Sequence, residues 1–237
     1  PIGNGRLGAM VYGGTAADKL SLNDITLWTG EPESRADHVD MELYPGLTRW
    51  GEAARYIDSI RMALDAEDYR KAERLQRKVQ GHYSENYQPL GTLTIRYPEA
   101  EITDYYRELD ICDAVARVEY LRDGKRFEAE YFASAPDSVI VVRIKSAQPV
   151  DAELVLDYPH PHEAVYDDGR ITVDGYVACH SYPNYYRTRD ERFMYSPDRG
   201  IHYRTILLAE CDGRTETDGK SLSLKGVKEA VIRIVNS

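Results

Sequence analysis

Alternation of apolar and polar residues dominates the chain from about residue 87 onward. Every second side chain is apolar in Leu93–Tyr97, Phe127–Tyr131 and Ala152–Tyr158. This period is typical of strands that bury one face of an antiparallel sheet. The continuous apolar run Val139–Val142 predicts a strand covered on both faces. Further strands are expected at residues 7–12 and 20–28, and near 170–177, 202–210, 221–224 and 229–235.

Four Asp-Gly dipeptides separate these strand-like segments, at residues 123–124, 168–169, 212–213 and 218–219. Asp-Gly is a strong hairpin signal, because tight hairpin turns need residues that tolerate positive φ. Short strands joined by such turns indicate an antiparallel sandwich and not a parallel α/β sheet.

One segment departs from the strand pattern. Apolar residues recur there at helical spacing in two stripes, with Asp65–Asp68 between the stripes and Gly81 at a helix-stop position. We therefore predict a mainly β, antiparallel two-sheet sandwich that forms a single domain over residues 1–237, with a helical hairpin inserted at about residues 42–81. The stripes contain Ala53, Ile57, Ile60 and Leu64, and then Ala72, Leu75 and Val79.

Charge and composition narrow the class of partner. The 30 basic and 40 acidic residues give a net charge of −10, and no Lys/Arg run is present, so nucleic acid and anionic membranes are not expected partners. The 19 tyrosines suit sheet faces that are partly exposed to solvent, interfaces, and surfaces that contact sugars. Cys112, Cys179 and Cys211 lack metal-ligand spacing, and we expect them to be buried free thiols.

The glycine-rich start, Gly3–Gly8, fits the pattern GxGxxG. A dinucleotide site would need a strand before these glycines and a helix after them, whereas Gly8–Gly14 continues as a strand. A turn that requires positive φ or close backbone approach explains the glycines better.

No other motif establishes catalysis. His160–Glu163 resembles a metal cluster but lacks a second ligand group, and a solvated loop is the better interpretation. No GxSxG motif is present. We predict no catalytic residue, metal or cofactor in this chain. The Tyr- and Arg-rich stretch 178–200 is either a sugar or protein contact surface or a solvated loop.

Five ordered segments together resemble the start of glycoside hydrolase family 95, which contains α-L-fucosidases and α-L-galactosidases. They are Pro1–Met10, Leu22–Gly30, Tyr87–Leu93, Tyr105–Asp110 and Phe132–Arg143, although Ile25 stands where the family pattern has a polar residue.

The resemblance implies the super-sandwich fold of galactose mutarotase and glycosidase N-terminal domains. It also implies a larger inverting enzyme in which an (α/α)6 barrel carries the catalytic acid and base. On this reading the chain is a fragment cut at both ends, and its partners are that barrel and a fucosylated glycan.

The expected role is a non-catalytic domain that braces the barrel. The residues predicted to contact the barrel or the substrate are Asn4, Arg6, Trp28 and Gln88. Two alternatives stay open: an autonomous carbohydrate-binding module, and a protein-docking domain.

Overall fold

Two long strands organise the fold, and each belongs to two neighbouring sets of strands. The computed structural model describes residues 1–30, 53–79, 84–184 and 192–237. The strands are β1 (Ile2–Gly3), β2 (Leu7–Val11), β3 (Ala17–Asp24), β4 (Gly91–Arg96), β5 (Ile102–Asp110), β6 (Val115–Arg122), β7 (Lys125–Ser134), β8 (Val139–Asp157), β9 (His162–Asp167), β10 (Arg170–Tyr176), β11 (His180–Ser181), β12 (Phe193–Met194), β13 (His202–Cys211), β14 (Arg214–Thr217) and β15 (Leu222–Asn236). The helical elements are a 3₁₀ turn (Ala53–Tyr56), α1 (Ile57–Asp65) and α2 (Tyr69–Gln76).

The chain forms two compact units. Residues 1–29, 87–178 and 195–237 make up the first, which contains a thirteen-stranded antiparallel network. Residues 30–86 and 179–194 make up the second, which contains the paired helices α1 and α2 and the small β11–β12 sheet. The assignment of residues 1–237 to a single domain stays a prediction. Residues 42–52 of the predicted helical insertion, and its stop at Gly81, lie outside the described residues.

Strands β8 and β15 pair with each other along most of their length and change their other neighbours midway. The first half of β8 pairs with β7, and its second half pairs with β4. Strand β15 pairs first with β14 and then with β13. One half of the sandwich therefore consists of β1–β4, β14, the C-terminal part of β8 and the N-terminal part of β15. The other half consists of β5–β7, β9, β10, β13, the N-terminal part of β8 and the C-terminal part of β15.

The core lies between these halves, and aromatic contacts join them. Tyr97, next to β4, meets Phe127 of β7 edge-on, with ring centroids 5.2 Å apart. Tyr131 of β7 donates its hydroxyl hydrogen to Asp18 of β3. Both tyrosines and Phe127 are buried. The mainly β sandwich with an inserted helical hairpin is thus confirmed.

The pattern-based strand boundaries failed where a strand bends. The predicted strands 221–224 and 229–235 are one strand, with irregular pairing between Leu224 and Glu229. Gly226 has φ +66° there, and its N–H donates to Asp151 Oδ1 at 2.8 Å. The turn-like residues form a bulge, because the carboxylate satisfies the backbone group that leaves the ladder.

The expectation that all three cysteines are buried needs correction for two of them. Cys112 is exposed, because it lies in the β5–β6 turn where its N–H donates to Asp110 Oδ1 at 2.9 Å. Cys179 is buried as expected, and Cys211 is half-buried.

Among the described helices, none is long and apolar enough to cross a membrane.

Candidate functional site

The β1–β2 turn is held by the side chain of Asn4. Its Oδ1 accepts hydrogen bonds from the N–H groups of Arg6 (3.1 Å) and Leu7 (2.8 Å), and its Nδ2 donates to the Ser134 carbonyl at 2.8 Å. Gly5 takes φ +94°, a conformation that disfavours side chains. The glycine-rich start is therefore a hairpin turn followed by a strand, as the sequence predicted, and Asn4 fastens it to β7.

Arg6 extends from this turn toward the end of β3. Its guanidinium Nε lies 3.5 Å from Asp24 Oδ2, and its side chain is about half exposed while that of Asp24 is fully buried. The Arg6 carbonyl also accepts from the Ile25 N–H at 3.0 Å. The two contacts position the cation beside the β3 end with part of the guanidinium in solvent.

Asp24 is the centre of a buried polar network. Its Oδ1 accepts from the Thr26 N–H (2.9 Å) and hydroxyl (2.7 Å), and its Oδ2 accepts from Asn236 Nδ2 (2.8 Å). Burial alone would raise the pKa of this carboxyl, but the hydrogen bonds from Asn236 and Thr26 and the Arg6 charge outweigh it, so the pKa lies below its ordinary value. Asp24 therefore stays ionised at neutral pH and is a structural anion with no proton to give.

Trp28 lies immediately beyond this network with a fixed ring. Its Nε1 donates to the Ile25 carbonyl at 3.0 Å, and its ring meets Tyr87 edge-on with centroids 6.4 Å apart. The two residues also form an isolated antiparallel bridge. Trp28 and Tyr87 are each 44% exposed and Ile25 is 58% exposed. Hydrogen bonds thus hold large apolar surfaces at the exterior.

Gln88 has a different position from the other three predicted residues. Its side chain is buried and donates from Nε2 to the Tyr87 carbonyl at 3.1 Å, while its N–H donates to the Leu27 carbonyl at 2.9 Å. These bonds fix the backbone that presents Tyr87. Gln88 supports the surface from beneath.

The structure therefore brings together a contiguous set of exposed side chains, here called the rim: Arg6, Ile25, Trp28 and Tyr87. The sequence analysis named Arg6 and Trp28 as contact candidates but did not name Ile25 or Tyr87. The signal for Tyr87 was available, because it immediately precedes the singled-out Gln88. The rim contains a cation, two exposed aromatic rings and an isoleucine, a composition typical of contact surfaces.

The histidine-rich motif is a structural element. His160 is buried, not solvated as predicted, because its Nε2 bonds the Pro89 carbonyl at 2.9 Å and its Nδ1 lies 3.3 Å from the Tyr195 hydroxyl. Burial, with a smaller effect of His162, lowers the pKa of His160 below its ordinary value despite the bond to Pro89. No group of three metal-ligating side chains occurs in the part of the chain that the structure describes.

In the Tyr- and Arg-rich stretch, residues 185–191 lie outside the described residues. Its flanks form the β11–β12 pair, in which His180 opposes Met194 and Ser181 opposes Phe193. The Asn86 side chain donates to the Ser181 hydroxyl at 2.9 Å. Most of the described part of this stretch is therefore loop, and strand is confined to the two residues each of β11 and β12. The contact role predicted for the stretch stays a prediction.

The described residues thus form an antiparallel β-sandwich with the rim exposed on its surface. The chain belongs to the family described as "Glycosyl hydrolase family 65, N-terminal domain", which matches residues 1–236.

Curated relatives are fucosidases. The chain is 35% identical over 153 residues to "Alpha-L-fucosidase 2" of Arabidopsis thaliana, covering 63% of this chain and 17% of that protein. It is 22% identical over 235 residues to "Probable alpha-fucosidase A" of Aspergillus oryzae, covering 99% of this chain and 30% of that protein. The chain therefore spans less than a third of the length of either relative. Among solved structures, "Putative kojibiose phosphorylase from human microbiome" aligns with a TM-score of 0.39 and 10% identity, covering 65% of this chain and 23% of that one.

Proposed function

We propose that this chain is the non-catalytic N-terminal sandwich of an inverting α-L-fucosidase of the family 95 type. In this role it braces an (α/α)6 catalytic barrel that acts on fucosylated glycans. The five family-95-like segments and the two fucosidase relatives support the substrate class. Three of those segments contribute to the rim or the residues beneath it, namely Pro1–Met10, Leu22–Gly30 and Tyr87–Leu93.

The rim is the observation that carries the bracing role. An exposed tryptophan, a tyrosine and an isoleucine in one cluster are unusual on a solvent-facing surface and typical of protein interfaces, where aromatic residues and arginine are enriched. Their fixed geometry matters too, because the Trp28 indole and the Arg6 guanidinium are already held by hydrogen bonds or an ion pair. A preorganised surface loses little side-chain entropy when a partner covers it.

The first experiment is an activity assay. The purified 237-residue chain, incubated with an aryl α-L-fucoside, is expected to release no aglycone above the blank. Robust turnover that co-purifies with the folded chain would overturn the non-catalytic assignment.

A second experiment tests the bracing surface. The catalytic barrel of the proposed full-length enzyme is produced separately and mixed with this chain, and binding is measured by calorimetry. Trp28→Ala is expected to weaken association by at least about tenfold, as for an aromatic interface anchor. Tyr106→Ala is the matched control, because Tyr106 is an exposed aromatic residue on β5, outside the rim. Equal effects of the two substitutions, or no association at all, would contradict the proposal.

A further inference from the structure

A groove of about 540 Å³ lies beside the rim, on the outer face of β2, β3, β4 and the β8 end. Its polar lining comes from Ser21, Asn23, Thr92 and Asp157, and its apolar lining includes Met10 and Tyr87. The volume is within the range of small-ligand sites. Neither the rim chemistry nor the bracing role uses these polar groups.

Strand register aligns four of the side chains. Met10 pairs with Ser21, Ser21 with Thr92, and Thr92 with Asp157, so the four form one row across four adjacent strands. Directly paired residues point to the same face of a sheet. With about 4.8 Å between strands, the row is roughly 14 Å long. The sheet thus presents a thioether, two hydroxyls and a carboxylate in fixed order, over a length that suits one or two sugar rings.

Asn23 adds a polar atom with unmet bonding capacity. It follows Ser21 by two residues on the same face of β3, and it pairs with Gly8 of β2. Its Oδ1 is buried and has no hydrogen-bond partner among the described residues. Because Gly8 carries no side chain, nothing on that strand fills the space beside the amide. A buried acceptor of this kind is normally satisfied. If the Asn23 side chain turns its Oδ1 toward the groove, a ligand hydroxyl would supply a hydrogen bond that the protein itself does not make.

Tyr87 adds an aromatic ring to the lining of the groove. The ring is 44% exposed and is oriented by its edge-on contact with Trp28. Partial burial raises the pKa of its hydroxyl, which therefore stays protonated at neutral pH and can donate. An aromatic ring offers an apolar surface for the C–H face of a sugar ring while its hydroxyl bonds a polar neighbour.

The charge of the lining selects the class of ligand. No lysine or arginine is among the described residues that line the groove, and Asp157 is its one carboxylate. An anionic ligand would find no cationic side chain among these residues. We propose that the groove binds a neutral saccharide of one or two rings, with Asp157 and Asn23 bonding ring hydroxyls and Tyr87 packing on the ring. This proposal does not rest on the proposed function, because it concerns this chain alone and requires no barrel.

The test is an NMR titration of the ¹⁵N-labelled 237-residue chain with L-fucose, D-galactose and a fucosylated lactose. At least one of these sugars is expected to shift amide signals that cluster on Ser21, Asn23, Thr92 and the residues flanking Asp157. Asp157→Asn should weaken the binding by roughly tenfold, since it removes a charged hydrogen-bond acceptor. Tyr87→Ala should weaken it by a similar factor.

Two matched controls identify the groove as the site. Glu163→Gln removes an exposed carboxylate on β9, and Tyr106→Ala removes an exposed aromatic ring on β5. Neither should change the affinity. If Tyr87→Ala disturbs folding, Asp157→Asn and Thr92→Ala decide the question, because neither changes the core.

The absence of shifts with all three neutral sugars would overturn the inference. Shifts confined to other residues, or binding of glucuronic acid in place of the neutral sugars, would also overturn it. The fucosidase assay and the calorimetry of the bracing test read different properties, so the two proposals can fail separately.

Discussion

Asn236 donates a hydrogen bond to the carboxylate of Asp24, 212 positions earlier in the sequence, at 2.8 Å. Asn236 in turn accepts from the Thr205 hydroxyl at 2.8 Å, and all three side chains are buried. The end of β15 is thereby fastened to the end of β3, directly behind Arg6. The rim depends on this connection, because Asp24 is the anion that holds the Arg6 guanidinium.

Asn236→Ala should therefore destabilise the fold. It leaves the Asp24 carboxylate and the Thr205 hydroxyl without their buried partner, and we expect a loss of about 1–3 kcal/mol in the free energy of unfolding. Urea denaturation followed by circular dichroism measures this. Ser223→Ala, a half-buried polar residue in the same strand, should change the free energy much less. Equal losses in the two variants would show that the network contributes nothing particular.

The lowered pKa of Asp24 predicts an acid-sensitive contribution to stability. Its folded-state pKa lies below the ordinary 3.8, so the stabilisation is complete above pH 3.8 and is lost as the pH falls through the folded-state pKa. Asp24→Asn should lower stability at neutral pH and remove the acid-dependent loss, so that its difference from the wild type shrinks as the pH falls through the folded-state pKa. The measurement is a series of urea titrations from neutral pH to below pH 3.8.

The pH dependence of stability that Asp18 contributes has the opposite sign to that of Asp24. Burial raises its pKa above 3.8 in spite of the hydrogen bonds from Tyr131 and the N–H groups of Gly14 and Gly13. Its contribution to stability therefore decreases as the pH rises from 3.8 through the raised pKa. Asp18→Asn should remove this decrease, and an unchanged profile between pH 3.8 and neutrality would contradict the assignment.

Gly5→Ala isolates the conformational demand of the first turn. A Cβ at Gly5 would meet nothing within 4 Å, so the expected cost arises from the φ of +94° alone and is about 1 kcal/mol. Gly3→Ala is the control, because Gly3 lies in β1 without positive φ and its Cβ would make an ordinary 3.4 Å contact with the Leu7 carbonyl. Thermal or urea unfolding should rank Gly5→Ala below Gly3→Ala in stability.

His160 predicts a second pH dependence nearer neutrality. Because burial lowers its folded-state pKa below 6.5, the folded state binds fewer protons than the unfolded state, and stability falls as the pH drops from 6.5 through the folded-state pKa. His160→Gln should remove this fall. An NMR titration of the imidazole signals, with that variant assigning the resonance, should give a midpoint below 6.5; a midpoint at or above it would contradict the burial argument.

The alternation of apolar and polar residues, together with the turn residues, was sufficient to predict most of the sandwich. The run Val139–Val142 is buried on both faces as expected, because β8 is a central strand between β7 and β15. Asp123-Gly124 connects the paired strands β6 and β7, with φ of +50° and +72°. Both features depend on local residues, which is why the local sequence was enough.

The failures have a common physical cause, which is long-range context. Gly226 signals a turn locally, but Asp151 on the neighbouring strand satisfies its N–H and converts the break into a bulge. His160 lies in a loop-like sequence, yet its Nε2 forms a hydrogen bond with the carbonyl of Pro89, 71 residues away, and the side chain is buried. The row from Met10 to Asp157 is aligned only by strand register, which spacing along one strand does not reveal.

Strands β8 and β15 have a final consequence for how the molecule comes apart. Since both strands run through both halves, the sandwich has no line along which it could be divided without breaking backbone hydrogen bonds of a central strand. We expect both halves of the sandwich to melt in one cooperative transition, with the slowest-exchanging amides in the middle of these two strands. A protein that carries this sandwich would therefore have it either fully folded or fully unfolded, with no half-folded form in between.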